Sequence, residues 1–180
     1  MEPRKFDFVE VTLEPEDYNK VKEVYRLHKE QASKIFDLSS TVSTDKEIME
    51  YVKDKIEYDV VLLAIDTTNN KYAGVIILDE VKILDGTIIN AGVHIIVNKA
   101  YWGKQSRDII NNCFSFLKNN MKPILRFEAA VPSNNYGVIK LLKDVGFKIE
   151  GTLKNKLVFK NKMCEPTKYN QLIYSRIGEY

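Results

Sequence analysis

The sequence predicts one α/β (α+β) domain, spanning residues 1–180, with seven strands and four helices. The composition is that of a globular chain, with 44% hydrophobic and 29% charged residues. The hydrophobic period changes repeatedly between the two-residue spacing of strands and the spacing of helices. No repeat, low-complexity tract or Pro/Gly/Ser-rich linker divides the chain. We therefore expect a single body, ordered except at its termini.

Charge and cysteine content exclude several classes of protein. The net charge of +2 comes from 27 basic and 25 acidic residues mixed along the chain, so we expect no dedicated nucleic-acid binding. No run of 18 apolar residues is present, so no membrane partner is expected. Cys113 and Cys164 are too few for a disulfide framework.

The abundance of Lys, Asn and Ile suggests an AT-rich genome. The expected location is cytoplasmic, or the virion if the chain is phage-encoded.

The elements follow from the periodicity and from local stop and start signals. The predicted strands cover residues 6–12, 59–66, 72–81, 87–97, 123–131, 147–160 and 169–177. The predicted helices begin near Pro15, Asp45, Ser106 and Asn134 and end near Phe36, Glu57, Asn120 and Asp144. Thr44 and Glu47 form a capping-box pattern, and Gly146 is the expected stop after the last helix. The second, third and fourth strands read as an antiparallel meander.

One junction carries a chemical prediction, because the strand that ends at Val97 leads into the helix that begins near Ser106. A helix N-terminus presents unpaired backbone N–H groups and a partial positive charge, which suit a phosphate or pyrophosphate. The alternative is a plain strand-to-helix turn that binds nothing, and the spacing leaves both open.

Four segments resemble the GNAT N-acetyltransferases, and together they cover nearly the whole chain. They are VTLEPEDYNKV (11–21), NKAYWGKQSRDIINNCFSFL (98–117), VPSNNYGVIKLLKDVGFKIEGTLKN (131–155) and KYNQLIYSRI (168–177). The second resembles the acetyl-CoA loop and helix of that family. The pairs Gly146-Phe147, Glu150-Gly151 and Tyr174-Ser175 look most like the RimJ/RimL branch, which acetylates the N-termini of ribosomal proteins.

The resemblance implies a GNAT-like fold, a central mixed and mostly antiparallel sheet of about seven strands flanked by about four helices. It also implies direct transfer of an acetyl group from acetyl-CoA, the co-substrate, to a primary amine of a protein N-terminus or a small molecule. The strand 87–97 would carry a bulge, with a backbone N–H near Ile96 or Val97 holding the thioester oxygen. The implied cofactor contacts are Ile96, Val97, Gly103, Lys104, Gln105, Ser106, Arg107, Asp108 and Asn135.

The phosphate loop departs from the family pattern at two positions. Gln105 and Arg107 stand where the family usually has small residues that let the backbone approach the pyrophosphate. Their side chains would occupy that space. Alternatively, Arg107 would pair with a phosphate by charge.

The usual general acid of the family is also absent. Asn135 is followed by Val138 and Leu142, at positions where relatives often carry a Ser and a Tyr, and the Tyr protonates the leaving thiolate. We expect Val138 and Leu142 to pack in the core. Tyr136 or Tyr174 would substitute, or water would serve.

Two residues are candidate general bases. Glu128 lies on the strand 123–131 and His94 on the strand 87–97, and a histidine titrates near neutral pH. The alternatives are that Glu128 pairs with Arg126 or a lysine and that His94 is a structural residue of the sheet. His28 is expected on the solvated face of its helix.

A non-catalytic reading stays open beside the transferase. The departures at positions 105, 107, 138 and 142 would suit a protein that kept the fold and serves as a binding or assembly module, for example in a phage particle. The oligomeric state, including a homo-oligomer, is equally open. No metal-ligand spacing is present, so no metal is expected.

Overall fold

A computed structural model describes residues 5–31, 44–160 and 166–178. Its strands are β1 (Phe6–Glu10), β2 (Val60–Asp66), β3 (Lys71–Leu84), β4 (Thr87–Val97), β5 (Arg126–Pro132), β6 (Lys148–Lys160) and β7 (Pro166–Ile177). The helices are α1 (Tyr18–Gln31), α2 (Asp45–Tyr58), α3 (Lys104–Asn120) and α4 (Tyr136–Asp144), with 3₁₀ turns at Pro15–Asp17 and Lys99–Tyr101. The expected end of the first helix at 32–36, the loop 37–43 and Cys164 lie outside the described residues.

The seven strands form a sheet in the order β1-β2-β3-β4-β5-β7-β6. Neighbours pair antiparallel except β4 and β5, which are parallel and are connected through α3. A parallel pair needs such a crossover, because its strands cannot be joined by a tight turn. The mixed, mostly antiparallel sheet that the resemblance implied is confirmed.

Helices cover both faces of the sheet, so the core has two layers. On one face α1 and α2 bury Val24, Leu27 and Val52 against strand residues such as Ile77. On the other face a second cluster joins α3, through Ile109, Ile110, Cys113 and Leu117, to Leu142 of α4. Each fully buried aliphatic side chain contributes about 1.5–3 kcal/mol relative to exposure. The sheet therefore lies between two pairs of helices.

Two predicted helix signals are confirmed in the structure. At the start of α2, Thr44 Oγ1 accepts a hydrogen bond from the Glu47 amide at 3.3 Å, and the Glu47 carboxylate accepts one from the Thr44 amide at 2.9 Å. After α4, Gly146 adopts φ 90° and its amide donates to the Lys143 carbonyl at 3.1 Å. Both contacts satisfy backbone groups that a helix end leaves unpaired.

Several predicted boundaries were wrong by a few residues. Helix α3 begins at Lys104, directly after the turn at Gly103, and not near Ser106. Strand β5 begins at Arg126, because the preceding residues make only the isolated bridge between Ile88 and Ile124.

The prediction that His28 is solvated was wrong. Its side chain is 1% exposed, packs near the Tyr51 ring, and its Nδ1 lies 2.8 Å from the Val24 carbonyl oxygen. Burial lowers the pKa of His28 to about 4, so the ring is neutral near pH 7. The face of α1 that carries His28, which the sequence pattern placed in solvent, is turned towards the sheet.

The register between β3 and β4 shifts at two points, with the extra residue in β3 at the first and in β4 at the second. Strand β4 keeps an unbroken register with β3 from Val97, opposite Gly74, to Gly92, opposite Asp79. The next paired residues are Lys82 and Asn90, so two residues of β3 oppose one residue of β4. A two-to-one opposition of this kind is a β-bulge. At the second point Lys82 pairs with Asn90 and Ile83 with Ile88, so Ile89 is an extra residue in β4, the strand for which the resemblance implied a bulge.

Candidate active site

The parallel strands β4 and β5 separate part of the way along their length. Their pairing comprises Ala91 with Phe127 and Gly92 with Glu128, and the described residues form no further ladder between them. Strand β4 continues to Val97 and β5 to Pro132. We call the space between residues 93–97 and 129–132 the β4–β5 cleft. Backbone groups along its edges have no strand partner within the described residues, so they can pair with an extended ligand.

The strand geometry decides which amides face this cleft. The Asn98 amide donates to the Ala73 carbonyl of β3 at 2.8 Å. Because backbone groups of successive strand residues point to opposite edges, Val97 and Ile95 face the cleft, whereas Ile96 faces β3. Of the two amides expected to hold the thioester oxygen, the structure therefore directs Val97 into the cleft and Ile96 away from it.

The end of β4 is held by two side chains that bind one carbonyl. Gln31 Nε2, from α1, donates to the Val97 carbonyl oxygen at 2.7 Å, and Trp102 Nε1 donates to the same oxygen at 2.9 Å. Together with the Asn98 amide bond to β3, these contacts fix the peptide plane at the open end of the β4–β5 cleft.

The N-terminus of α3 lies just beyond this open end and is chemically suited to an anion. Its N-cap is Gly103, which has φ 87° and no side chain to cap the helix. The first turn contains no acidic residue. The first amides of a helix have no intrahelical acceptor. Lys104 and Arg107 lie in this turn. Positive side chains at a helix N-terminus are unfavourable because of the helix dipole, and a bound anion would compensate for them.

The other expected loop contacts are tied within the loop and helix. The Ser106 hydroxyl, which is buried, donates to the Tyr101 carbonyl at 3.0 Å. The Asp108 carbonyl accepts from Asn112 Nδ2 at 2.8 Å. Gln105 is half-buried. Arg107 Nη1 lies 3.7 Å from Asp144 Oδ2 at the end of α4, so its guanidinium is drawn by charge towards that helix.

The second helix at the cleft is α4, which follows β5. Asn135 is its N-cap, and the side-chain oxygen accepts from the Val138 amide at 3.4 Å. Tyr136 is 77% exposed at the first helical position, whereas Tyr174 is 1% exposed in the core. Of the two tyrosines, only Tyr136 is accessible to a leaving group. Leu142 is buried, as expected.

Both candidate bases lie on the α1–α2 face of the sheet, at the closed end of the β4–β5 cleft. Asp79, Gly92, Glu128 and Ser175 oppose one another across four adjacent strands, so their side chains share a face. His94 is two residues beyond Gly92 and has the same orientation. Ideal strand spacings put the Cα atoms of His94 and Glu128 roughly 8 Å apart.

Glu128 belongs to a charged cluster on this face. Arg126 Nη2 lies 3.2 Å from Glu128 Oε2 and also donates to Glu150, which accepts a further bond from the Ser175 hydroxyl. The Ser175 bond and the Arg126 charge hold the pKa of Glu150 below its ordinary value. The alternative that Glu128 pairs with Arg126 therefore matches the geometry.

His94 contacts a carboxylate that the sequence reasoning missed. Its Nε2 lies 2.7 Å from Asp79 Oδ2, and Lys55 Nζ lies 3.3 Å from the same oxygen. Burial opposes ionisation of Asp79, but His94 and Lys55 outweigh it and hold its pKa below the ordinary value. Asp79 follows Val75 and Ile77 at two-residue spacing, so its side chain is expected on the same buried face of the strand. A carboxylate at such a position was the signal by which the sequence could have indicated Asp79.

Comparison with known proteins identifies the class. The family model described as acetyltransferase (GNAT) domain matches residues 11–165. The chain therefore belongs to the GNAT acetyltransferase family, and it is an N-acetyltransferase with acetyl-CoA as co-substrate. No curated protein sequence matches the chain.

Solved structures with the same fold include enzymes that acetylate proteins and small amines. The acetyltransferase from Salmonella typhimurium that modifies the N-terminal serine of ribosomal protein L7/L12 has a TM-score of 0.73 at 15% identity, covering 97% of this chain and 96% of its own. Ribosomal-protein-S5-alanine acetyltransferase from Vibrio fischeri has a TM-score of 0.69 at 16% identity, with coverage of 99% and 96%. Spermidine N-acetyltransferase from Vibrio cholerae, in complex with CoA and spermine, has a TM-score of 0.68 at 15% identity, with coverage of 97% and 96%. The predicted fold is confirmed by this likeness.

Residues 5–31, 44–160 and 166–178 lack two further classes of feature. None of the helices there has the length and apolar character needed to cross a membrane. Those residues also contain no group of three His, Cys, Asp or Glu side chains placed to hold a metal ion.

Proposed function

We propose that this chain transfers the acetyl group of acetyl-CoA directly to a primary amine of a protein N-terminus or a small molecule. The observation that carries the proposal is the β4–β5 cleft, with two helix N-termini at its open end and His94 and Glu128 at its closed end. The unpaired strand edges of this cleft would bind an extended donor, and the acceptor would bind on the α1–α2 face.

The residues at the open end would hold the donor. Acetyl-CoA, when bound, supplies the acetyl group as a thioester. The first amides of α3, those of Lys104 and Gln105, would bind the pyrophosphate, while Asn135 would contact the pantetheine. The Val97 amide would hold the thioester oxygen, and a fixed donor of this kind contributes about 2.7–4 kcal/mol to the transition state. Because Arg107 is paired with Asp144, phosphate binding falls mainly to the backbone.

The residues at the closed end would accept the amine's proton. An α-amino group, with a pKa near 8, needs less help from a base than a lysine near 10.4. Of the two candidates, His94 is favoured as the base, because Glu128 is engaged by Arg126. Tyr136, exposed at the head of α4, would protonate the leaving thiolate.

The charge of this face supports a cationic acceptor. On this face the carboxylates of Asp59, Asp79, Glu128 and Glu150 outnumber the cations that pair with them, Lys55 and Arg126, so the excess negative charge would attract an ammonium group. Structures with the same fold include enzymes for ribosomal-protein N-termini and for spermidine, and both acceptors are cationic amines.

Thermal unfolding with and without acetyl-CoA tests the donor site. Cofactor at a hundred times its dissociation constant adds about 2.7 kcal/mol to the free energy of unfolding, which raises Tm by several degrees. An unchanged Tm at millimolar acetyl-CoA would contradict donor binding in the β4–β5 cleft.

Steady-state acetylation of an N-terminal peptide and of spermidine tests the acceptor and the base. We expect His94→Gln to lower kcat about 100-fold or more while the acetyl-CoA dissociation constant stays the same, because general-base catalysis contributes about 10²–10⁴. A wild-type kcat in both His94→Gln and Glu128→Gln would remove both base assignments.

A further inference from the structure

Asp79 is a buried carboxylate that contacts an imidazole and an ammonium group. It is 8% exposed, and its Oδ2 lies 2.7 Å from His94 Nε2 and 3.3 Å from Lys55 Nζ. Lys55 also lies 3.0 Å from Asp59 at the end of α2, so the lysine charge is shared between two carboxylates. Asp79 is therefore held ionised, with one oxygen turned to the imidazole.

The second oxygen of Asp79 fills the space above a glycine. Gly92 is the register partner of Asp79 on β4, and a Cβ added to Gly92 would lie 2.1 Å from Asp79 Oδ1. Real Cβ contacts are never so short, so any other residue at position 92 would push the carboxylate away from its place beside His94. The absence of a side chain at Gly92 therefore allows the Asp79 carboxylate to lie beside His94.

We propose that Asp79 is a positioning residue that binds the Nε2–H of His94 and so presents Nδ1 as the base for the acceptor amine, with Gly92 providing the space this requires. The inference rests on the proposed function, because it assigns the proton-accepting role to His94. A carboxylate that accepts one ring N–H sets the tautomer and stabilises the imidazolium that forms.

The proton and electron balance of the step is simple. The amine nitrogen forms the new C–N bond as the thioester C–S bond breaks, and the thiolate leaves with the bonding electrons. The ammonium group first loses one proton to Nδ1 of His94, which passes it to solvent, and the free lone pair then attacks. The nitrogen loses a second proton to solvent after the C–N bond forms, while Tyr136 protonates the thiolate and regains its proton from solvent. Asp79 takes no proton in this scheme, because its role is to hold the ring and to balance its positive charge.

Among the described residues, the charged and titratable groups on the face around His94 come from four elements. Glu128 on β5 is paired with Arg126. Asp79 on β3 favours the imidazolium, and Lys55 on α2 opposes it but is partly neutralised by Asp59. His28 on α1 adds no charge, because burial lowers its pKa to about 4. The balance of these charges therefore depends mainly on Asp79.

Two variants test the positioning role independently. Asp79→Asn removes the charge and keeps the size, and we expect kcat to fall about tenfold or more. We also expect the acidic limb of the kcat/KM profile to move to lower pH, because the imidazolium loses its facing carboxylate. Gly92→Ala leaves both side chains intact but displaces the carboxylate, so the profile should move in the same direction. The KM for acetyl-CoA should stay within twofold in both variants.

Matched controls separate this role from a general effect on folding. Asp59→Asn removes the other carboxylate partner of Lys55 but does not touch the His94–Asp79 contact, so its pH profile should move far less than that of Asp79→Asn. Gly151→Ala adds a Cβ to a strand glycine that has no described atom within 4 Å of the new carbon, so it should change neither rate nor profile.

The outcomes distinguish the inference from the proposed function. If His94→Gln abolishes turnover but Asp79→Asn and Gly92→Ala keep the wild-type profile, the positioning role is overturned and the transferase stands. If His94→Gln has no effect, the base assignment fails as well. Should Asp79→Asn not fold, as judged by thermal unfolding, Gly92→Ala alone decides: an unmoved profile in that variant overturns the inference.

Discussion

His28 links the burial of one side chain to the pH dependence of stability. Its pKa is lowered by burial to about 4, against an ordinary value near 6.5. Between these values the unfolded chain binds a proton that the folded chain does not, so stability is complete above pH 6.5 and falls as the pH drops towards 4. The expected loss between pH 7.5 and pH 5 is about 2 kcal/mol. Urea unfolding across this range measures it.

The matched variant for this prediction is His28→Gln, which keeps an amide donor for the Val24 carbonyl and does not titrate. Its free energy of unfolding should vary less between pH 7.5 and 5 than that of the wild type, by the same 2 kcal/mol or so. Equal slopes in the two proteins would show that His28 does not carry the effect.

Single residues also mark where sequence reasoning reaches its limit. His94 and Glu128 could be named as candidates because a base must be a titratable side chain on a strand near the cofactor loop. Asp79 was not a candidate, because its place beside His94 depends on Gly92, a residue of another strand with no side chain to suggest a partner. The choice between Val97 and Ile96 likewise needed the pairing with β3, which sequence periodicity does not specify.

At the scale of elements, α2 depends on the reciprocal hydrogen bonds of Thr44 and Glu47. Thr44→Ala removes the acceptor for the Glu47 amide and should lower the free energy of unfolding by about 1 kcal/mol. Equilibrium urea unfolding at pH 7 measures this, with Lys53→Ala on the exposed side of the same helix as the control. A loss in the control equal to that in Thr44→Ala would argue against capping as the cause.

The turn before α3 is a second element whose backbone sets its function. Gly103 has φ 87°, a conformation that costs a residue with a Cβ about 1–3 kcal/mol, although no described atom lies within 4 Å of the added carbon. Gly103→Ala should therefore rotate the first amides of α3 and weaken acetyl-CoA binding by at least tenfold, as measured by calorimetry.

Gly86 offers the control for this turn. It has φ 77° in the β3–β4 hairpin, so Gly86→Ala should cost comparable stability without changing acetyl-CoA affinity. Equal affinities in the wild type and Gly103→Ala would mean that the head of α3 does not bind the phosphates.

At the scale of the whole molecule, the sheet consists of two halves joined by a short parallel seam. Four strands lie on the β4 side and three on the β5 side, and the seam comprises two paired positions and one isolated bridge. A ligand in the β4–β5 cleft would bridge the two halves. Saturating acetyl-CoA should therefore slow amide hydrogen exchange at residues 93–97 and 129–132 together. Slower exchange on only one side would contradict binding between the strands.

The overall fold was predictable to a large extent, because each strand and helix has its own period and the meander β2–β4 is local in sequence. The seam was not predictable from these periods. Strands β4 and β5 are separated by all of α3, and the point at which they part is set by packing on both faces of the sheet. The resemblance to GNAT enzymes supplied the topology that periodicity alone left open.

The hydrogen bond from Trp102 to the Val97 carbonyl makes tryptophan fluorescence a reporter of ligand binding at the open end of the β4–β5 cleft. Trp102 is the chain's single tryptophan, is 49% exposed, and its indole N–H is bonded at the mouth of the cleft. A ligand that arrives there must either cover the ring or compete for the bonded oxygen, and both change the polarity around the indole. Intrinsic fluorescence should therefore follow CoA titrations directly, with an emission shift that needs no label and no turnover.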